Sequence, residues 1–188
     1  MPADQNKAPI YDALCLHTGE AAARLHVPGH RQGAALPAAL KGRDGRALYE
    51  LDLTELPGLD DLHRPIGAIA GAESLAARAF GAWRTFFLVN GSTAGIHALL
   101  TALGGKKVLA PRDAHRSVIG GLVLSGAEPV YVWPGIVPGF GIPAGFDTAR
   151  YDQALAEHPD AAAVLAVYPN YYGVAGDLAG RETVKERR

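Results

Sequence analysis

The chain has 188 residues, of which 48% are hydrophobic and 20% are charged, as in a typical water-soluble folded domain. This length predicts one domain around one core. The 18 basic and 19 acidic side chains nearly cancel, which argues against an electrostatic nucleic-acid interface. The longest apolar run, residues 161–168, is too short to span a bilayer, and the N-terminal residues lack the apolar stretch of a signal peptide. We therefore expect a cytoplasmic protein that binds neither nucleic acid nor membrane.

Cysteine, glycine and proline contents constrain covalent links and loops. The single cysteine, Cys15, excludes an internal disulfide and any metal cluster made of cysteines alone. We expect Cys15 to be a small buried hydrophobic side chain. The 23 glycines and 13 prolines predict many tight loops.

The N-terminal half alternates helical segments with loops that carry ionisable residues. Residues 26–33, which read His-Val-Pro-Gly-His-Arg-Gln-Gly, predict an irregular loop because Pro-Gly and a second glycine interrupt regular structure. The other predicted segments are a helix over residues 10–25 with a break near residues 18–19, a helical turn over 37–41, an exposed stretch over 42–46, an extended loop over 51–56 and a helix over 70–80.

From residue 85 onward, apolar strands alternate with helices. The predicted strands are residues 85–89, 107–110, 129–133 and 161–168, and the predicted helices are residues 94–103, 117–124 and a segment through residue 157 capped by Asp147. A long loop over residues 134–146 interrupts the alternation. This pattern predicts a doubly wound α/β sheet with right-handed crossovers. Because such sheets bind ligands at the carboxyl ends of their strands, we expect the loops after the four strands to share one edge.

The strongest local motif is Phe-Leu-Val-Asn-Gly-Ser-Thr-Ala-Gly at residues 87–95, which predicts a strand, a turn and a helix N-terminus. Free backbone N–H groups at such a terminus, together with the hydroxyls of Ser92 and Thr93, suit a phosphate. The motif is neither Gly-x-Gly-x-x-Gly nor a P-loop. The alternative interpretation is that Ser92 is a plain helix N-cap.

Two further loops follow predicted strands. The first contains His115, which can stack on a planar ring, act as an acid or base, or cap a helix. The second, residues 168–173, reads Tyr-Pro-Asn-Tyr-Tyr-Gly and either lines a pocket or forms a proline turn with packed tyrosines.

Histidines and carboxylates in the N-terminal half suggest a metal site as another hypothesis. Zinc or manganese would suit this ligand set, but Pro28 and Gly29 break any helix that would put both loop histidines on one face. The candidate ligands are His26, His30, Asp60, Asp61 and His63. We expect the remaining helix-associated histidines, His17, His97 and His158, to be surface or packing residues.

Taken in order, these segments resemble the major domain of the Orn/Lys/Arg decarboxylase family. The matching motifs lie at residues 26–33, 52–55, 59–63, 86–95, 115–117, 126–131 and 171–173, and the resemblance extends from residue 7 to residue 178. It implies the three-layer doubly wound α/β sheet of the aminotransferase-like, pyridoxal-phosphate-dependent fold. It also implies an N-terminal helical arm and loop over residues 1–45, followed by the N-terminal part of the cofactor-binding major domain over residues 46–188.

The resemblance assigns roles to several residues. Ser92, Thr93 and Ala94 are implied to hold the phosphate of pyridoxal phosphate, and His115 to stack on its pyridine ring. The loops that carry His30 and residues 60–63 are implied to lie near the active site or a dimer seam. The implied substrate is ornithine, lysine or arginine, and the implied assembly is a homo-oligomer.

Two residues of the family's chemistry have no counterpart in these 188 residues. The family uses an aspartate in a run like Asp-Glu-Ala-His and a Schiff-base lysine in Ser-x-His-Lys, and none of the five lysines has that context. The lysines are Lys7, Lys41, Lys106, Lys107 and Lys185. We therefore expect the N-terminal portion of a decarboxylase domain, inactive alone, with weak or absent cofactor binding. The alternatives are a non-catalytic remnant or phosphate-ligand-binding partner of a fuller homologue, and a metal-dependent hydrolase.

Overall fold

A computed structural model describes residues 4–19, 23–41 and 46–176. The chain forms two compact units, Met1–Phe87 and Leu88–Arg188. The elements in chain order are α1 (Pro9–Thr18), α2 (Ala38–Lys41), α3 (Arg46–Glu50), α4 (Ala68–Ala79), α5 (Gly91–Leu103), β1 (Lys107–Pro111), α6 (Arg116–Ser125), β2 (Glu128–Val132), α7 (Thr148–Glu157) and β3 (Ala163–Val164).

The first unit is helical, and α1 packs against α4 in it. Pro9, which begins α1, lies against Gly71, where a Cβ would be 3.5 Å from the proline ring. The side-chain amide of Gln5 donates to the Leu75 carbonyl at 3.3 Å. Helix α1 ends at Thr18, with Gly19 as its C-cap, which confirms the predicted interruption near residues 18–19. The prediction of a helix continuing to residue 25 is wrong at residues 23–25, which are not helical.

The second unit contains a parallel sheet in the order β2-β1-β3, with Leu109 paired to Val130 on one side and to Val164 on the other. Because side chains alternate along a strand, β1 presents Val108 and Ala110 to one face and Leu109 to the other. All three are fully buried. A strand buried on both faces is typical of a parallel sheet covered by helices on each side.

Helices cover both faces of this sheet. On one face, Val108 and Ala110 pack with residues of α5 and α6, among them Leu100 and Val118. On the other face, Leu109 packs with Tyr151 of α7. The resulting layers are helix, sheet and helix, and they confirm the predicted doubly wound α/β architecture.

Helices α5 and α6 pack closely and in parallel. A Cβ at Gly121 of α6 would lie 2.6 Å from Leu100 Cδ1 and 3.3 Å from Leu100 Cβ of α5. One turn earlier on α5, His97 lies beside Gly120, and beyond the C-terminal ends the Gly105 N–H donates to the Ser125 carbonyl at 3.0 Å. The contacting residues have increasing numbers on both helices, so the two helices run in the same direction and their N-termini lie at the same end.

The edge strand β2 is held at its carboxyl end by α7. Asp147 caps α7 by accepting the N–H groups of Ala149 and Arg150, as predicted. The Arg150 guanidinium donates to the Asp147 carboxylate at 3.1 Å and to the Trp133 carbonyl, just past β2, at 3.2 Å.

Several sequence predictions are wrong in detail. Residues 85–89 form no strand, because no strand lies beside them in the part of the chain described; Phe87 N–H is instead bound by the buried Glu73 carboxylate at 3.2 Å. Strand β3 is shorter than predicted, although the pairing continues through hydrogen bonds from Ala162 and Leu165 to β1. Helix α3 was not predicted.

Cys15 is exposed rather than buried. Helix α1 has no fully buried residue, so its apolar spacing does not place this thiol in a core.

The exposed stretch predicted over residues 42–46 falls mostly outside the described residues, as does the domain boundary at residues 45–46, which stays a prediction. No helix in the described ranges is both long and apolar enough to cross a membrane.

We predict that Gly121→Leu lowers the free energy of unfolding by about 1 kcal/mol or more, because the new side chain has to displace Leu100 in a filled helix interface. Val123→Leu is the matched control, since Val123 of the same helix is exposed, and its effect should stay within about 0.5 kcal/mol. Denaturant unfolding followed by circular dichroism measures both. Wild-type stability in the Gly121→Leu protein would contradict this packing.

Candidate functional site

The N-terminus of α5 leaves its backbone donors available. Asn90, the N-cap, has a left-handed backbone and makes no side-chain capping bond, and Gly91 follows with φ 71°. The N–H groups of Gly91, Ser92 and Thr93 have no hydrogen-bond acceptor among the described residues. The plain N-cap interpretation of Ser92 is therefore wrong, because Ser92 lies inside the helix.

The side chains at this terminus add further donors. Ser92 and Thr93 are exposed, and Ala94 is half-buried. Free amides at the positive end of a helix dipole, with two hydroxyls beside them, provide the donor set that a phosphate dianion requires. The arrangement fits a phosphate group without a contribution from a metal ion.

His115 is the N-cap of α6, directly after the loop that follows β1. Its Nδ1 accepts the Ser117 N–H at 3.2 Å and lies 2.8 Å from the Ser117 hydroxyl. The imidazole ring itself is exposed. The capping role considered from the sequence is thus present, and His115 remains exposed.

The packing of α5 against α6 brings these two termini to one side of the second unit. The helices run in parallel, so Ser92 and His115 both lie at the starting ends of neighbouring helices. Since α6 follows the carboxyl end of β1, this is the edge of the sheet at which doubly wound folds bind ligands.

Asn170, from the loop after β3, has a structural role. Its buried side-chain amide donates to the carbonyls of Pro143 and Ala144 at 2.9 and 3.3 Å, and its oxygen accepts the N–H groups of Tyr172 and Val174 at 3.0 Å each. The amide therefore clamps two loops together. The tyrosine rings at residues 171 and 172 are exposed and pack edge to face at 5.3 Å.

Tyr151 and Asn170 line a small cavity near this clamp, and both side chains already have hydrogen-bond partners. Tyr151 donates to the Leu165 carbonyl at 3.1 Å, and burial raises the pKa of its phenol well above the usual range. The cavity is lined by Tyr151, Asn170, Trp133 and Arg150 among others. We assign it no ligand.

The loop over residues 26–33 is tied to its own unit through His30. Its Nε2 lies 3.0 Å from Asp52 Oδ2, and its Nδ1 accepts the Gly33 N–H at 3.2 Å. The ring packs edge to face against Tyr49 at 5.2 Å. Both ring nitrogens are therefore engaged in holding the loop.

Asp60 organises the turn that starts α4. Gly67, the N-cap of α4, has no capping side chain of its own, and Asp60 accepts the N–H groups around it instead. The donors are Asp61, Ile66, Gly67, Ile69 and Ala70, at 2.8 to 3.4 Å. The Ile66 N–H is the main cause that lowers the pKa of Asp60 to about 2, and three further amides act in the same direction.

These contacts bear on the metal hypothesis. Both Asp60 oxygens serve backbone donors, and Asp61 accepts the His63 N–H at 2.7 Å. Across residues 4–19, 23–41 and 46–176, no group of three or more His, Cys, Asp or Glu side chains is arranged to hold a metal ion. The structure gives the metal-dependent hydrolase no support.

We predict that Asp60→Asn lowers the thermal midpoint at pH 7 by a few degrees and flattens the loss of stability in acid. The folded pKa of about 2 lies below the ordinary 3.8, so the carboxylate stabilises the fold above about pH 4 and this stabilisation disappears as the pH falls toward 2. Thermal unfolding at pH 7 and between pH 4 and 2 measures both effects.

Asp61→Asn is the matched control for Asp60→Asn, because the Asp61 carboxylate accepts a single amide in the same turn. Its acid profile should follow that of the wild type. A profile for Asp60→Asn as steep as the wild-type one would show that Asp60 is not the group responsible.

Residues 8–186 match the family model described as Orn/Lys/Arg decarboxylase, major domain. The chain is 39% identical over 176 residues to an arginine decarboxylase of Bacillus subtilis, an alignment that covers 93% of this chain and 36% of that protein. It is 33% identical to the lysine decarboxylase LdcA of Pseudomonas aeruginosa over 67% of this chain and 18% of that protein. The chain thus spans about a third of the length of the arginine decarboxylase and less than a fifth of the length of the lysine decarboxylase.

Two solved structures have the same fold. Lysine decarboxylase A from Pseudomonas aeruginosa superposes with a TM-score of 0.64 and 28% identity, covering 79% of this chain and 22% of that chain. The constitutive lysine decarboxylase of Escherichia coli gives a TM-score of 0.67 at 23% identity, covering 88% of this chain and 25% of that chain.

Proposed function

The chain belongs to the Orn/Lys/Arg decarboxylase family, and from this membership we propose that it forms the N-terminal portion of the cofactor-binding major domain of a basic amino acid decarboxylase. The proposed cofactor is pyridoxal phosphate. Among ornithine, lysine and arginine, we propose arginine as the first substrate to test, because the relative at 39% identity is an arginine decarboxylase.

The observation that carries this proposal is the donor set at the start of α5. Three N–H groups that find no acceptor in the part of the chain that the structure describes stand beside two exposed hydroxyls. A bound phosphate would satisfy them, with Gly91, Ser92 and Thr93 donating through their backbones and the two hydroxyls adding side-chain donors. The contact that the resemblance implies for Ala94 stays a prediction. The residues present therefore fit the phosphate of the proposed cofactor.

The second part of the proposal concerns the ring. His115 would stack on the pyridine, which its exposed position at the start of α6 supports. Pyridoxal phosphate, when bound, supplies the electron sink that decarboxylation requires. The protein residues hold and orient it: α5 anchors the phosphate and His115 restrains the plane of the ring.

A polypeptide of these 188 residues contains no Ser-x-His-Lys sequence, so it has no lysine in the context that the family uses for covalent attachment. We propose that this polypeptide binds the cofactor weakly and without turnover. The alternative, a phosphate-binding partner of a fuller homologue, would use the same α5 contacts. Co-purification with such a homologue, with no gain in carbon dioxide release, would favour the alternative.

We predict that Ser92→Ala combined with Thr93→Ala weakens pyridoxal phosphate binding several-fold or more, because each lost hydrogen bond is worth about 0.5–3 kcal/mol. Absorbance titration of the purified chain with the cofactor measures the affinity. Thr101→Ala is the matched control, since Thr101 is an exposed threonine on the same helix, remote from its N-terminus. Unchanged affinity in the double variant would refute the phosphate assignment.

We predict no carbon dioxide release above the level of free pyridoxal phosphate when the 188-residue polypeptide is given arginine, lysine or ornithine. Without a positioned amine, the cofactor lacks its covalent hold and its route of exchange with substrate. The assay measures labelled carbon dioxide from each amino acid. Clear turnover by intact, uncontaminated protein would mean that one of the five lysines takes this role.

A further inference from the structure

Ser117 is a buried polar residue in an otherwise apolar stretch of α6. It is 4% exposed, next to the buried Val118 and one turn from Gly121. Its hydroxyl lies 2.8 Å from His115 Nδ1 and has no other hydrogen-bond partner in the described part of the chain. Buried hydroxyls require such a partner, and here the imidazole ring supplies it.

Two donors of the same residue converge on one ring nitrogen. The Ser117 N–H donates to His115 Nδ1 at 3.2 Å, and the hydroxyl approaches the same atom. A nitrogen that accepts from an N–H carries no proton, so the proton of the neutral ring lies on Nε2. Nδ1 is therefore tied to the helix, while Nε2 has no partner among the described residues.

The helix cap at His115 does not require the Ser117 hydroxyl. His115 already caps α6 when its Nδ1 accepts the Ser117 N–H. With alanine at residue 117 this 3.2 Å bond would be the single donor left on Nδ1 and would favour the Nε2–H tautomer less strongly than the two donors together. The second contact adds a restraint on the rotation of the ring, since a single long bond leaves more freedom than two contacts on one nitrogen. The hydroxyl thus acts on the orientation and tautomer of His115.

We propose that Ser117 is the positioning residue of the site: it holds His115 as the Nε2–H tautomer in the orientation at which the ring stacks on the cofactor. This inference rests on the proposed function, because it assumes that His115 meets the pyridine. Ser117 itself would touch neither cofactor nor substrate.

The first test needs no cofactor. Long-range ¹H–¹⁵N spectra of the histidine rings in the 188-residue chain, with His115 assigned through His115→Gln, report the tautomer. We expect an Nε2–H pattern in the wild type, a partial shift toward the averaged values of a free imidazole in Ser117→Ala, where one of the two donors to Nδ1 is lost, and recovery in Ser117→Thr. An unchanged tautomer in Ser117→Ala would overturn the inference, whatever the cofactor does.

The second test is a double-mutant cycle on cofactor affinity. Ser117→Ala should weaken pyridoxal phosphate binding by about 2- to 10-fold and reduce the induced circular dichroism of the bound cofactor. The same change in a His115→Ala background should have no further effect, because Ser117 acts through the ring. An equal loss in both backgrounds would overturn the positioning role.

Ser125→Ala is the matched control for the cycle, since Ser125 is the serine at the other end of α6, where its hydroxyl bonds the Leu122 carbonyl. It should leave both the His115 spectrum and the affinity at wild-type values. If His115→Ala binds the cofactor as well as the wild type does, the stacking part of the proposed function fails. A tautomer shift in Ser117→Ala would still support the contact between Ser117 and His115.

Discussion

The second unit depends on the burial of β1 between two helical layers. Val108, Leu109 and Ala110 are inaccessible to solvent, and their alternating side chains contact α5 and α6 on one face and α7 on the other. A strand in this position cannot slip by one residue, because a slip would exchange the two faces. The carboxyl end of β1 is thereby fixed, and the loop that leads to His115 starts from a rigid point.

Helices α5 and α6, which pack on this strand, set the positions of the candidate site residues. Close approach of α5 and α6 at Gly121 fixes the axial register of one helix against the other. The amides at residues 91–93 and the ring at residue 115 therefore belong to helices whose relative position is fixed, although both motifs begin in loops. Two helix N-termini at one edge combine a phosphate donor set with a planar side chain, and this is a combination that a phosphorylated aromatic ligand can use.

Features encoded locally were predictable from the sequence, whereas features that depend on distant partners were not. Asp147 could be identified as a cap because its donors lie two and three residues away. Asp60 could not, because it serves an α4 terminus up to ten residues further on and adopts φ 77° to do so. The apolar run at residues 85–89 has strand composition, but a strand also needs a neighbour.

The same distinction applies to the site. The motif at residues 87–95 allowed both a phosphate site and a plain N-cap at Ser92; the structure excludes the N-cap, and the phosphate stays a prediction. Asn90 and Gly91 have left-handed backbone conformations, and α5 begins at Gly91, before Ser92. The N–H groups of residues 91–93 therefore find no acceptor among the described residues. Similarly, the sequence allowed His115 to be predicted as a ligand residue, but it could not show that Ser117 bonds to its ring, since burial of that hydroxyl arises from tertiary packing.

The pairing of β2 has a consequence for self-association. The N–H of Glu128 and the carbonyl of Val132 bond toward β1, so the alternating residues 129 and 131 direct their backbone groups to the open side. On that side Pro129 has no N–H that could bond an incoming strand, and the Trp133 carbonyl already accepts a hydrogen bond from Arg150. This rim of the sheet is a poor template for an incoming strand, and it is protected against the edge-to-edge aggregation to which open sheets are prone.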